Sequence, residues 1–374
     1  MPRTTDVAII GGGVIGCSIA YYLAAHGIRS TVLEQRRFGH GASGATVGAV
    51  APLSHIDPSD EPTFALGLKS LEMFPGHAAD LAEAGVDPEF RRSGILKVAL
   101  TPDDEKHLEA DLTWQGEMGL NVTRLDRQQV IDREPEINQA VLWGVFSARE
   151  GFVRGQRLVD SLVHASSLRG ATFVEGVEVA ALETVGDRVI GVRTHGETFH
   201  ADHTVLAAGP WTGLAGRWQP FRRLPVRPIK GQRLLIRKTG FLPRSPVYNC
   251  AHYVMPQVDG HILAGATRHE GEFDQDVTVD AISVLVESAT VTFPALRDAR
   301  FVEARAGVRP GSPDNRPILG PVPGCQGLSV ASGHDAIGIM LAPGTGQLMA
   351  DYIASGDATP LEPFSPARFS PPSA

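Results

Sequence analysis

The 374-residue sequence predicts an α/β fold built from two joined parts, and three observations carry that expectation. The chain opens on an apolar strand, a glycine-rich turn and a helix, the order that starts a parallel nucleotide-binding sheet. Its length exceeds what a single compact core fills. The segments from Ser93 to Phe146 and from Pro225 to Phe301 break the strand–helix rhythm, so they predict a second unit, mainly an antiparallel sheet with helices.

The opening stretch is the most informative. Val7–Ile10 reads as a buried parallel strand, and Gly11, Gly13 and Gly16 hold the G-x-G-x-x-G spacing at the turn that follows. The first glycine permits the turn, the second lets the backbone approach a pyrophosphate, and the third lets helix and strand pack closely. The helix N-terminus then faces the anion. Ile15, Ile19, Tyr22 and Leu23 form its apolar stripe, and Gly27 stops it. A second strand, Ser30–Leu33, ends in Glu34, an acid placed to bond the ribose hydroxyls of an adenine dinucleotide.

The rest follows in order. The loop from Gly41 to Gly48 is rich in small residues and suits a second phosphate or the extended chain of a long cofactor. Arg36 and Arg37 hint at a 2′-phosphate, but Glu34 would repel it. Helices are expected over Glu61–Ala84, Asp103–Gly119 and Asp126–Glu134, with a strand over Ser93–Leu100 and a short alternating segment over Ala140–Phe146. A helix over Leu158–Leu168 and a strand over Ala171–Val174 return to the first rhythm. A β-meander over Glu178–Ala201 leads into a buried strand from His203 to Gly209. Strands Gln232–Ile236, His252–Met255 and His261–Ala266 follow, then a helix over Asp280–Thr292. The last section holds Gly307–Asp314, a strand Leu328–Ala331, the element Gly333–Gly338 and a helix Gly344–Ala354. The proline- and serine-rich tail from Asp357 is expected to lie on the surface.

Composition narrows the function. A net charge of −8 gives no electrostatic case for nucleic acid. No apolar run is long enough to cross a bilayer, and a strand starting near residue 6 leaves no room for a signal peptide. Three scattered cysteines and 13 histidines without ligand spacing predict no metal site and a reducing, cytoplasmic setting. Cys17, inside the first helix, reads as a packing residue.

Taken together, Asp6–Glu34, Gly41–Gly48, Val205–Trp211, Pro225–Gln232, Gly307–Gly320 and Gly333–Gly346 resemble the D-amino-acid oxidase superfamily, most of all its glycine oxidase and D-amino-acid dehydrogenase group. The resemblance implies a glutathione-reductase-like FAD fold of the D-amino-acid oxidase type. Its FAD-binding part would be 1–85, 150–220 and 305–374, and its substrate-binding part 86–149 and 221–304. It also implies non-covalent FAD, because no cysteine closely follows the Gly-x-Arg-Pro element. Gly11, Gly13, Val14, Ile15 and Gly16 would hold the pyrophosphate, Glu34 and Gln35 the adenosine, and Ser43, Ala45, Thr46 and Gly48 the phosphates or ribityl chain. Val177 would meet the adenine through its backbone, with Ala208, Gly209, Trp211 and Gly307 nearby. Gly333, His334, Ala336, Ile337, Gly338 and Ile339 would bring amides and a helix N-terminus to the flavin's pyrimidine edge, where reduction collects negative charge.

The implied reaction is oxidation of a carbon–nitrogen bond in a small amino acid or secondary amine, by hydride transfer to flavin N5 and hydrolysis of the imine. Arg309 would clamp the substrate carboxylate, since a guanidinium offers the bidentate fork a carboxylate fits. Tyr253 would close that site. Two positions depart from glycine oxidase: Ala336, preceded by Asp335, replaces a second arginine, and Arg268 stands where methionine is common. Arg268 is therefore expected either to offer the cavity a cation on a different wall or to turn outward into solvent beside His269 and Glu270. The electron acceptor, oxygen or a quinone or partner subunit, stays open, as does a homo-oligomer. The rivals are a flavoprotein relay subunit of a hetero-oligomer, which would not need Arg309 and Tyr253, and a nicotinamide-dependent dehydrogenase, in which Gly333–Gly338 has no role.

Overall fold

A computed structural model describes residues 3–218, 221 and 223–369. Its first sheet is centred on the strand Arg3–Ile10, which pairs in parallel with Thr198–Leu206 on one side and Ser30–Glu34 on the other. Leu328–Ser332 and Thr172–Glu175 extend the parallel run at either side. The buried stretch Val7–Ile10 is apolar throughout because both faces are covered. Helices Val14–Ala25, Gly155–Leu168, Glu61–Glu83 and Gly338–Ser355 cover one face, where Ile9, Ile19, Leu23, Phe74, Leu162 and Met349 meet. The meander strands Val179–Val185 and Arg188–Thr194 cover the other, over Leu33, Val192, Phe199 and Val330.

A second, nine-stranded sheet is mainly antiparallel. Its longest pairing joins Arg227–Arg237 to Arg300–Gly311, from Arg227 opposite Gly311 to Arg237 opposite Arg300. His269–Glu270, Ile262–Gly265, Tyr253–Pro256, Val247–Tyr248, Ile95–Ala99, Trp143–Ser147 and Val122–Asp126 make up the rest. The helix Val279–Thr292 seals one face with Leu285 and Ala289. The α/β architecture is the one the sequence predicts.

Several elements differ from expectation for local reasons. The last helix starts at Gly338, six residues before the expected Gly344, and runs through Pro343. Pro343 and Gly344 read as a break in sequence, but tertiary packing overrides them: a Cβ at Gly344 would meet Ser70 and Leu66 of a neighbouring helix. Arg300–Gly311 forms one long strand although its charged half shows no apolar alternation. Val122–Asp126 and Ile318–Pro321 are strands the pattern did not reveal, and Thr198–Leu206 is one strand where two were expected. The tail is also more deeply seated than expected, because Leu361 and Phe364 bury their side chains in the first core. Its last residues, 370–374, lie outside the described residues.

The glycine turn shows why its spacing is strict. Gly11 has φ of +110°, and a Cβ there would run into the Ala207 carbonyl of the adjacent strand. A Cβ at Gly16 would run into the carbonyl of Gly11. Alanine in place of helical glycine ordinarily gains about 1 kcal/mol. Here the obstacle is backbone, which has to move, and overpacking of that kind costs about 1–3 kcal/mol. Gly16→Ala should therefore lower stability despite its helix propensity, read as a lower urea midpoint; an unchanged or raised midpoint would show that the turn has room.

Candidate active site

The two sheets enclose a cavity of about 530 Å³, and residues from every stretch of the sequence signature line it. At one end stand Gly11, Gly13, Val14, Ile15, Glu34, Gln35 and Val177; in the middle Ser43, Ala45, Thr46, Ala208, Gly209, Trp211 and Gly307; at the other end Ala336–Ile339, Tyr253, Arg268 and Arg309. Gly16 and Gly48 are not in the wall but shape it: Gly16 packs the helix onto the turn, and Gly48, with φ of +88°, lies against the Val153 carbonyl.

The first end is built to receive an anion. The helix Val14–Ala25 has no acid in its first turn, and Gly13 offers no capping side chain. Ser43 supplies a single cap, its Oγ accepting the Val14 N–H at 3.0 Å. The positive end of the helix dipole thus opens on the cavity. Glu34 is held rigidly at the strand end, accepting N–H bonds from Gly12 at 2.8 Å and Arg36 at 2.9 Å. Gly12, which the sequence motif treats as a spacer, is also required: a Cβ there would enter the Phe38 ring. The N–H of Val177 donates to the Glu34 carbonyl, so a backbone contact from Val177 to a base would use its carbonyl.

The helix Gly338–Ser355 likewise starts without a capping side chain or a first-turn acid, and Ile337–Ile339 line the cavity beside it. Two helix N-termini therefore face one elongated cavity, a donor set that fits a long cofactor with an anionic centre and a second electron-rich end. Gly333, with φ of +75°, lets the chain turn into this segment against Ile318. His334 was expected to contribute a backbone amide, and its side chain is turned into the protein. Its ring is buried, with Nε2 3.2 Å from the Thr345 hydroxyl, so only its backbone can serve the cavity.

At the far end Arg309 stands half-buried on the strand Arg300–Gly311. Its guanidinium lies against Gly231, where any Cβ would overlap it, and donates to the Thr267 carbonyl at 3.1 Å. Among the described residues it has no carboxylate partner in an ion pair. Burial holds its pKa below the usual arginine value, with nearby Asp335 acting in the opposite sense. Tyr253 is buried, and its hydroxyl lies 2.7 Å from Nε2 of His55. Its pKa is raised by that burial. His55 and Tyr248 also line this end, and sequence reasoning missed both. The Tyr248 and Tyr253 rings lie 4.8 Å apart, with His55 within 5.7 Å of each. A lone histidine on the four-residue helix Pro52–His55 carries no sequence pattern that could have marked it.

Arg268 is a correction. It lines the cavity, but it does not offer a free cation: its two terminal nitrogens bond both oxygens of Asp335 at 3.0 and 2.9 Å. The residue next to the missing arginine neutralises the extra one.

His55 lines the cavity, and loss of solvation there, with the Lys97 cation, pushes its pKa down to about 4. Burial pushes His334 down to about 3. Both are neutral when folded and take up protons below about 6.5 when unfolded. Their contribution to stability is thus complete above pH 6.5 and is lost as pH falls toward 4. Buried Glu150, raised to about 7, acts in the opposite direction between 4.5 and 7. His334→Gln should flatten the loss of stability between pH 6 and 4 by up to about 1.4 kcal/mol per pH unit. Parallel pH profiles of the urea midpoint in wild type and variant would show instead that His334 is charged in the fold.

Comparison with known proteins agrees with this geometry. The DAO family model, described as FAD dependent oxidoreductase, matches residues 6–352. The chain is 36% identical over 369 residues to a glycine oxidase of Pseudomonas putida, covering 98% of both. It is 31% identical over 410 residues to the hydrogen cyanide synthase subunit HcnC of Pseudomonas aeruginosa, covering 99% of this chain and 98% of that one. The crystal structure of glycine oxidase from Geobacillus kaustophilus superposes with a TM-score of 0.92 at 31% identity, covering 99% of this chain and all of that one. A glycine-rich turn, an acid at a strand end, a second helix N-terminus and an arginine in one cavity wall thus sit in a chain that belongs to the DAO family of FAD dependent oxidoreductases.

Proposed function

We propose that the chain oxidises the carbon–nitrogen bond of a small amino acid or secondary amine carrying a carboxylate. The single observation that carries this reading is Arg309: an arginine in the cavity wall, bonded to a backbone carbonyl and, among the described residues, paired with no carboxylate. Such a group binds an incoming carboxylate with little competition. The likeness to two glycine oxidases supports the same substrate class.

In this reading Gly11, Gly13, Val14, Ile15 and Gly16 hold the FAD pyrophosphate, Glu34 and Gln35 the adenosine, and Ser43, Ala45, Thr46 and Gly48 the linking chain. Residues 1–85, 150–220 and 305–374 form the cofactor side, and 86–149 and 221–304 the substrate side. Bound FAD supplies the oxidant for the amine, and it is held without a covalent link. Cys17 is buried in the first helix with its thiol pKa raised, and it is unsuited to attack.

The chain's own residues fix the substrate. Arg309 takes the carboxylate through its fork. Tyr253 can donate its O–H to the same carboxylate while neutral His55 holds the phenolic oxygen through Nε2–H. The aromatic walls of Tyr248 and Tyr253 exclude water and confine the α-carbon, which is how orientation lowers the barrier. The electron acceptor is oxygen in this reading, supported by likeness to proteins named oxidases. The likeness to HcnC favours a second reading, in which a partner subunit takes the electrons. Oxygen consumption by the purified chain alone separates the two.

The test is substitution at Arg309. Removing a charged, largely desolvated hydrogen-bonding partner costs roughly 2–5 kcal/mol, so Arg309→Ala should lower kcat/KM by about 30-fold to several thousandfold. Most of the loss should appear in KM. Arg309→Lys should recover only part, because an ammonium cannot form the fork. Equal kcat/KM in wild type and Arg309→Ala would remove the carboxylate clamp.

A further inference from the structure

The substrate end of the cavity carries two arginines, and the structure treats them differently. Arg309 is without a carboxylate, while Arg268 is bidentate with Asp335. Asp335 is 11% exposed in its side chain, against 44% for Arg268, so the pair sits with its acid inward and its base toward solvent. Glu270 adds a weaker contact to Arg268 at 3.6 Å. Asp335 also holds φ of +43°, a left-handed conformation that costs most residues energy and that aspartate tolerates better than most. An acid is thus kept at a strained position in the cavity wall, within electrostatic reach of both guanidinium groups.

We propose that Asp335 is a specificity-determining residue that occupies Arg268 in place of a second substrate carboxylate, so that the site selects monocarboxylic amines. This rests on the reading of Arg309 as the carboxylate clamp. A substrate with a second carboxylate has to displace Asp335 from Arg268 and meets its negative charge instead. A substrate with one carboxylate uses Arg309 alone and leaves the pair intact. Specificity built on repulsion of this kind excludes the wrong partner without adding a contact to the right one.

Asp335→Asn removes the charge, keeps the shape and retains a residue that accepts positive φ. Asp335→Gly, also suited to φ of +43°, is the second variant should the first fail to load FAD. Binding is read from the flavin difference spectrum of the holoenzyme, titrated with acetate and with succinate. Turnover is read as kcat/KM for sarcosine and for N-carboxymethylglycine. In wild type the monocarboxylates should be preferred. Either variant should shift both ratios toward the dicarboxylate by roughly ten- to hundredfold, the range of a charge-assisted hydrogen bond. Adding Arg268→Gln should return the ratios to their starting values. Unchanged ratios in both variants, or a wild type that already prefers dicarboxylates, would overturn the role of Asp335 and leave the clamp standing. A wild type that binds neither acetate nor succinate would overturn the clamp itself, and this inference with it.

Discussion

A half-buried guanidinium with no carboxylate partner among the described residues is the constraint on which the substrate end depends. Removing a charge from water is costly unless it is paired, and among the described residues Arg309 bonds only the carbonyl of Thr267. The scaffold that holds it there is correspondingly stiff. Arg309 lies in the long ladder between Arg227–Arg237 and Arg300–Gly311, directly opposite Ile229. Gly231 on the facing strand leaves the space its side chain fills. Arg268, the other arginine at the substrate end, is tied to Asp335.

The cofactor end follows from helix electrostatics in the same way. Two helices whose own N-cap residues make no side-chain cap, and which have no first-turn acids, point at one cavity, and each is brought there by a glycine whose Cβ would collide with backbone or core. Such ends are favourable for anionic groups. The parallel strands behind them place both ends at one sheet edge, while the second sheet carries Tyr253 and Arg309 to the cavity.

Much of the first sheet was legible in the sequence because its signals are local: an apolar run, three glycines at fixed spacing, a helix stripe and an acid at a strand end. The second sheet was less legible. Arg300–Gly311 is half charged, and its strand state comes from pairing with a partner about 70 residues away, which no window of sequence contains. The start of the last helix was hidden by Pro343 and Gly344, whose cost is met by close packing on Ser70. Among site residues, Arg309 and Tyr253 stood out only through resemblance to a family motif. His55 and Tyr248 carry no motif, and the tie between Arg268 and Asp335 joins residues 67 positions apart. Their roles depend on a juxtaposition that only the fold creates.

The central claim is that the cavity recognises a carboxylate by charge at Arg309. The most direct measurement compares two ligands of nearly equal shape, glycolate and glycolamide, by their perturbation of the flavin absorbance in wild-type holoenzyme. Neither carries the amine that is oxidised, so binding is read without turnover. The account predicts a saturable perturbation by glycolate, with the uncharged amide weaker by at least tenfold, since a bond to a charged partner is worth about 1.5–3 kcal/mol. Equal affinity for the acid and the amide would contradict it.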